Sequence, residues 1–237
     1  MNNKTGYRAT WDPGKQLKLG QIGKLDKAGV FSVYSSLEKE DIPMEIDVDT
    51  TTLDMDYTSN DSVTISTKLS GKAPVAGSVF TDLDAGFTFD FKSSKSIVFQ
   101  SNGNKTNQIV NIAEVTKLIL QKYKDGNWDK DWLVITELVE AGAATIIISN
   151  SSDGKLELKA NANAGAGNLK LTDVSLGLSV ARETGSTLKY IAENGLTPLY
   201  RVMGIRHPLF GKDSVVKKVT ADKPVFEIQE FHEDEVK

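Results

Sequence analysis

Cysteine is absent from the 237 residues. Its absence excludes disulfide frameworks, thiolate metal sites, thiol nucleophiles and cysteine-linked lipid anchors. Histidine is scarce: His207 and His232, both near the C-terminus, are the only two, so histidine-centred catalysis has little to build on. Purely aliphatic runs reach only three residues, as at Ile146-Ile147-Ile148, far short of the ~20 residues of a transmembrane helix. The start, Met1-Asn2-Asn3-Lys4-Thr5-Gly6, has no apolar stretch of the secretory kind. A soluble, cytoplasmic chain is therefore expected, although a transmembrane β-strand needs only about 9–11 alternating residues and escapes this exclusion. An excess of positive charge is also missing. Lys and Arg number 28 against 32 Asp and Glu, for a net charge of −4, which argues against general nucleic-acid binding.

What the chain does have is a globular composition, with 39% hydrophobic and 25% charged residues, enough to bury a core. Charge is uneven along it. Residues 1–27 carry six basic and two acidic side chains, residues 38–61 carry one basic and nine acidic ones, residues 201–218 are basic again, and the last eight are acidic. Such runs read either as solvated faces or, in the basic stretches, as patches for anionic lipid at about 1 kcal/mol per Lys or Arg.

The pattern predicts strands around one helix. Val30-Phe31-Ser32-Val33-Tyr34 reads as a strand. The helix spans about Ile112 to Lys124, with Asn111 as N-cap, Glu114 completing a capping box, Ile112, Val115, Leu118, Ile119 and Lys122 on one stripe, and Asp125-Gly126 as the stop. Trp132 to Val139 reads as a strand buried on both faces, and Ala144 to Ser149 as the next one. No repeat, Pro-rich linker or low-complexity block divides the chain.

Two segments alternate with period 2 for unusually long. In 62–91, Val63, Ile65, Thr67 and Leu69 alternate with polar residues, then Ala85, Phe87, Phe89 and Phe91 do the same after a turn near Gly71 to Gly77. In 155–181, Leu156, Leu158, Ala160, Ala162, Ala164 and Ala166 alternate, then Leu176, Leu178 and Val180. Ala164-Gly165-Ala166-Gly167 reads as a hairpin tip. A strand with one apolar face must lay it on something oily, which is the core of a soluble fold or the lipid around a barrel. The alanine-rich face buries little area per residue at about 25 cal/mol per Å², so this hairpin is expected to be weakly held. The alternative is an ordinary antiparallel sheet.

The search for catalytic motifs returns nothing. There is no phosphate-binding glycine loop, no Gly-x-Ser-x-Gly elbow and no His-Glu-x-x-His. Asp47, Asp49, Asp54 and Asp56 offer carboxylate oxygens for Ca²⁺ but lack the EF-hand spacing and its glycine, and read as a solvated acidic face. Glu137, mid-strand, reads as an ion-pair partner rather than a catalytic acid. No catalytic residue, metal or cofactor is expected.

The order of elements resembles the pore-forming domain of the gasdermins. Trp132-Leu133-Val134-Ile135-Thr136-Glu137-Leu138-Val139 is similar to that family's aromatic-x-Val-Val-Thr-Glu-Val-hydrophobic strand, and follows a helix and a charged turn as it does there. The hairpin 155–181 comes next. Leu188-Lys189-Tyr190-Ile191-Ala192-Glu193-Asn194-Gly195-Leu196-Thr197-Pro198-Leu199-Tyr200-Arg201-Val202 is similar to the closing segment, and 62–91 sits where the first membrane hairpin does. The resemblance covers residues 62–202. It implies an α+β fold: a twisted, mainly antiparallel sheet with a central helix and two long amphipathic β-hairpins, in a pore-forming domain 1–203 followed by a tail 204–237.

The resemblance also implies a function. Gasdermins are soluble until activated, then bind acidic membranes, oligomerise and unfurl two β-hairpins per subunit into a large barrel, killing the cell; in bacteria and fungi they serve defence and self/non-self discrimination. Carried over, the membrane-inserting residues are Val63, Ile65, Leu69, Phe87, Phe89, Phe91, Leu156, Leu158, Ala160, Ala162, Leu176 and Leu178. Lys4, Arg8, Lys15 and Lys18 would attract lipid. The region of Arg206, Lys212, Lys217 and Lys218 would be open to a protease, and Val225, Phe226, Ile228 and Phe231 would form an autoinhibitory apolar face. The partners implied are acidic lipids, further copies of the chain, and an activating protease or partner protein. The form would be cytoplasmic at rest and at the inner or plasma membrane when active. Two departures stand out. The large repressor domain of vertebrate relatives is absent, which suits a microbial form with a short tail, and so is the acylated cysteine usual in bacterial members. A soluble α+β module binding a ligand or protein is the rival reading; an enzyme using carboxylates of 38–61 is a third.

Overall fold

The computed structural model describes residues 7–10, 16–27, 29–59, 61–161, 169–206 and 225–228; side chains of 190–195, 206 and 225–228 are outside the description. In chain order its elements are β1 (Arg8–Ala9), β2 (Gln21–Leu25), β3 (Phe31–Ser36), β4 (Ile46–Val48), β5 (Leu53–Thr58), β6 (Val63–Lys68), β7 (Gly86–Phe91), β8 (Ile97–Ile109), α1 (Ile112–Lys124), β9 (Leu133–Ser149), β10 (Gly154–Lys159), a 3-10 turn (Val174–Leu176), β11 (Ser179–Thr184), β12 (Thr187–Arg206) and β13 (Val225–Ile228). The fold is α+β, with one helix and antiparallel ladders throughout the registers described below.

Two compact units divide the chain. The first comprises Met1–Thr50, Thr106–Glu140 and Thr197–Lys237; the second comprises Thr51–Lys105 and Ala141–Leu196. In the first, strands pair in the order β1-β12-β9-β2-β3, with β4 on β8 and β13 on β12. The helix forms where the apolar stripe predicts it. Val115 and Ile119, one turn apart, are fully buried against Ile22, Leu37, Ile42, Ile109, Val134 and Ile205. Glu114 in the first turn and Lys122 and Lys124 in the last complement the helix dipole. Capping differs from expectation: the Asn111 side chain accepts from the Glu45 N–H at 2.9 Å and makes no cap bond of its own. At the other end Gly126 takes a positive φ of 76°, which ends the helix at the expected place. Adjacent residues Val134 and Ile135 of β9 enter different clusters, the second with Leu17, Phe31, Leu138, Tyr200 and Val202. The strand is covered on both faces, as its unbroken apolar run predicts.

The second unit holds a four-stranded sheet in the order β11-β10-β7-β6, beside a cluster of Phe99, Ala141, Ala144, Ile146 and Leu196. Two expectations about elements are corrected. Ala144 to Ser149 is not a strand of its own: β9 runs unbroken from Leu133 to Ser149, because Ala141 and Gly142 continue the extended backbone rather than turning it. Leu176 belongs to a 3-10 turn capped by Asp173, whose side chain accepts from the Ser175 N–H, so the second arm of that hairpin starts only at Ser179.

Candidate functional site

The four-stranded sheet brings the two alternating segments side by side. In β6–β7–β10 order the register aligns Val63 with Phe91, Ile65 with Phe89 and Leu156, and Thr67 with Phe87 and Leu158. Period-2 alternation puts these residues on one face. The Phe87, Phe89 and Phe91 rings stack along β7 with centroids 6.3 Å apart at each step. This face is the core of the second unit: Phe87, Phe89, Phe91, Leu156, Leu158, Ala160 and Leu176 are buried, against Val98, Ile147 and Leu171, while Val63, Ile65 and Leu178 are partly buried beside them. Leu69 lies just past β6 and is half-buried. Ala162 lies outside the described residues, with the alanine-rich tip. The outer strand β11 is exposed at all six positions, Val180 included.

The opposite face is polar and only partly covered: Thr64, Asp90 and Lys159 are exposed on it. Lys68, Thr88 and Glu157, which the register places on this face, are 2%, 0% and 0% exposed. Over Glu157 lies the connection 69–85 between β6 and β7. It folds back over the sheet: the Val79 N–H donates to Glu157 Oε2 at 3.0 Å, Lys155 Nζ donates to the Gly77 carbonyl at 2.8 Å, and Lys159 Nζ pairs with Asp84 at 2.7 Å. Lys155 Nζ also stands 3.5 Å from Glu157 Oε1, an ion-pair distance. Lys68 Nζ and Thr88 Oγ1 find no hydrogen-bond partner among the described atoms. Gly86 lets this arrangement close. A Cβ there would stand 2.0 Å from the Leu158 carbonyl oxygen and 3.0 Å from the Phe80 ring.

In the first unit, Glu137 is the ion-pair partner expected. Arg201 Nη1 donates to its Oε2 at 2.9 Å, the Tyr7 hydroxyl donates to its other oxygen, and the Arg201 guanidinium lies 4.2 Å from the centre of the Tyr7 ring. Burial first, then the bond to the Glu137 carboxylate, pushes the Tyr7 hydroxyl up to about 12. The residues joined are Glu137 of the Thr-Glu strand and Arg201 of the closing segment, the two stretches that carry the family resemblance.

The remaining predicted residues fall as follows. Arg8 sits in β1, paired with Tyr200 of β12, half-buried with its Nε enclosed. Lys18 is exposed. Lys4, Lys15, Lys212, Lys217, Lys218 and Phe231 lie outside the described residues, as do both histidines. Arg206 ends β12, where the backbone of Val225, Phe226 and Ile228 pairs with it as β13, setting Ile228 opposite Met203 and Phe226 opposite Ile205. Asp54 accepts from the Gly103 N–H and Asp56 from Gln100. Among the described residues no three acidic or histidine side chains come together to hold a metal, and no helix is long and apolar enough to cross a membrane. Sequence reasoning missed the covering segment, Lys68 and Glu157. The one available signal was the polar row that alternates with the apolar one.

Neither protein-family models nor curated proteins give a match to the chain. Among solved structures, the cryo-EM structure of the gasdermin A3 membrane pore aligns over 94% of this chain and 86% of its own, at 11% identity and a TM-score of 0.37. An overlap at that level fixes neither fold nor activity.

Proposed function

We propose that the chain is a membrane pore-forming effector of the gasdermin kind, soluble at rest, that oligomerises into a β-barrel in acidic membranes and so kills the cell that holds it. The observation that carries the reading is the register of β6, β7 and β10, which gathers the apolar residues of both hairpins on one face and the polar residues on the other. A barrel stave needs this two-faced strand: the apolar face can exchange a protein core for lipid, and the polar face can line water. Barrel closure satisfies every backbone donor and acceptor, so an oligomer inserts where a lone hairpin does not. At six residues, each strand spans roughly 20 Å, short of the about 9–11 residues a spanning strand needs. Residues must therefore be drawn into the strands from the connections that follow and precede them. The tail supports an off-state in which β13 occupies the edge of β12; release of that strand by a protease acting in 207–224, or by a partner protein, is the proposed trigger. Lys18 and the basic N-terminal residues meet the acidic surface. Defence by death of the infected cell, from the cytoplasm, is the setting this reading implies, and it assigns no catalytic residue, metal or cofactor.

Dye-filled vesicles test it. Residues 1–206, which keep β12 whole and lose β13, should empty vesicles rich in phosphatidylserine and spare neutral ones, whereas the full chain should leave both sealed; expression of 1–206 should kill the host cell. No leakage from any truncation within 203–224 would overturn the reading. A soluble α+β binding module is the second reading, favoured by the complete enclosure of Phe89 and Leu156; it expects a harmless monomer in every one of these assays.

A further inference from the structure

We propose that residues 69–85 form a lid, closed in the resting protein over a patch of buried charge, and that this lid opens as a separate step before either hairpin leaves the sheet. Three observations carry this. First, the lid is clasped to the second hairpin rather than to its own: its partners are Lys155, Glu157 and Lys159 of β10. The connection of one hairpin thus holds the strand of the other. Second, the lid encloses groups that favour water. Lys68 is 2% exposed with no partner for its ammonium, and Thr88 is fully enclosed with no partner for its hydroxyl. A buried unpaired ammonium is costly, so closing the lid works against its hydration and opening relieves it. Third, the same face buries a charge of opposite sign, which stands 3.5 Å from Lys155 and is not paired with Lys68. Glu157, one register step from Lys68 and two strands away, is the one fully enclosed carboxylate on that face. The lid therefore rests on a balance: Glu157 favours closure and Lys68 opposes it. Its consequence for insertion rests on the pore reading, because lengthening β6 and β7 requires residues that the closed lid holds. The lid itself is a property of the protein in solution.

A single introduced thiol tests it, since the native chain has none. Thr88→Cys places a small sulfhydryl beneath the lid, and Ala144→Cys places one in the other cluster of the same unit, where Ala144 is 1% exposed. Both are made in the full chain, without membranes, and their modification by a small maleimide is timed. The thiol under the lid should react faster than the control by at least about tenfold, since a local opening costs less than unfolding of the unit. Glu157→Gln should speed it by about tenfold more, the weight of a charge-assisted contact, and Lys68→Met should slow it by a similar factor. The control thiol should keep its rate to within about threefold in both backgrounds. Opposite effects of two neighbouring substitutions are not what general destabilisation produces. Equal rates at the two thiols, or acceleration by both substitutions, would overturn the lid. On vesicles, Glu157→Gln in the 1–206 form should hasten the onset of leakage; leakage at an unchanged rate would overturn the lid's part in release. Absence of leakage from every form would instead sink the pore reading, with the labelling rates still deciding the lid.

Discussion

The contact among Tyr7, Glu137 and Arg201 gives a quantitative test of how the first unit holds its N-terminal segment. Glu137→Gln keeps the shape and one acceptor oxygen but removes the charge that faces the guanidinium at 2.9 Å. The Glu137 and Arg201 side chains are 17% and 30% exposed, so the pair lies between two regimes: about 0.2–1 kcal/mol for exposed ion pairs and about 1.5–3 kcal/mol for hydrogen bonds to charged groups in the interior. A loss of about 2 kcal/mol is expected for Glu137→Gln, read from guanidinium denaturation followed by tryptophan fluorescence and extrapolated to water. Arg201→Gln should lose about as much, with its stacking on Tyr7 worth roughly 0.5–1 kcal/mol of that. The double variant should show a coupling of about 1–2 kcal/mol. The phenol gives an independent readout. Tyr7, pushed up to about 12 by burial and by the Glu137 carboxylate and held down in part by Arg201, should ionise at lower pH in Glu137→Gln and at still higher pH in Arg201→Gln. A coupling under about 0.3 kcal/mol, or a Tyr7 titration that moves the same way in both variants, would refute the assignment.

Two further outcomes follow from burial. Phe89→Ala removes the middle ring of the stacked row at a site with no exposure and should lower unfolding free energy by about 3–5 kcal/mol; a loss below about 1 kcal/mol in the same denaturation assay would mean that the face is not the core of the second unit. Tyr200, 1% exposed, is pushed up to about 12 by burial, from an ordinary value of 10.0. The fold holds the neutral phenol while the unfolded chain ionises first, so its contribution is whole below pH 10.0 and is lost as pH rises toward about 12. That loss is about 3 kcal/mol, and Tyr200→Phe should remove it; identical alkaline stability curves for the two proteins would contradict the burial argument.

Local pattern carried much of this fold and stopped where distant residues meet. The helix was readable because Ile112, Val115 and Ile119 recur at helical spacing ahead of Asp125-Gly126, and the hairpins because apolar residues recur every second position. The pairing of Glu137 was readable from its place within an apolar strand, although Arg201 was not nameable as its partner. The unbroken course of β9 was hidden because Glu140-Ala141-Gly142-Ala143 has the composition of a turn, and only its neighbours hold it extended. The covered part of the polar face was hidden for a related reason. Alternation says which side a residue takes, and nothing in Glu157 announces that a connection some seventy residues earlier in the chain will lie across it. Leu176 kept the rhythm of a strand while Asp173 captured the Ser175 amide and wound a tight turn there.

The slot at Gly86 has a consequence for how the two hairpins are married. With the Leu158 oxygen 2.0 Å from where any Cβ would stand, the seam between β7 and β10 closes around a residue that contributes no side-chain atoms at all. Its neighbours supply the adhesion, and it supplies the clearance. The position has no nearby substitute in chemical space, since even the smallest addition must displace main chain rather than a side-chain end.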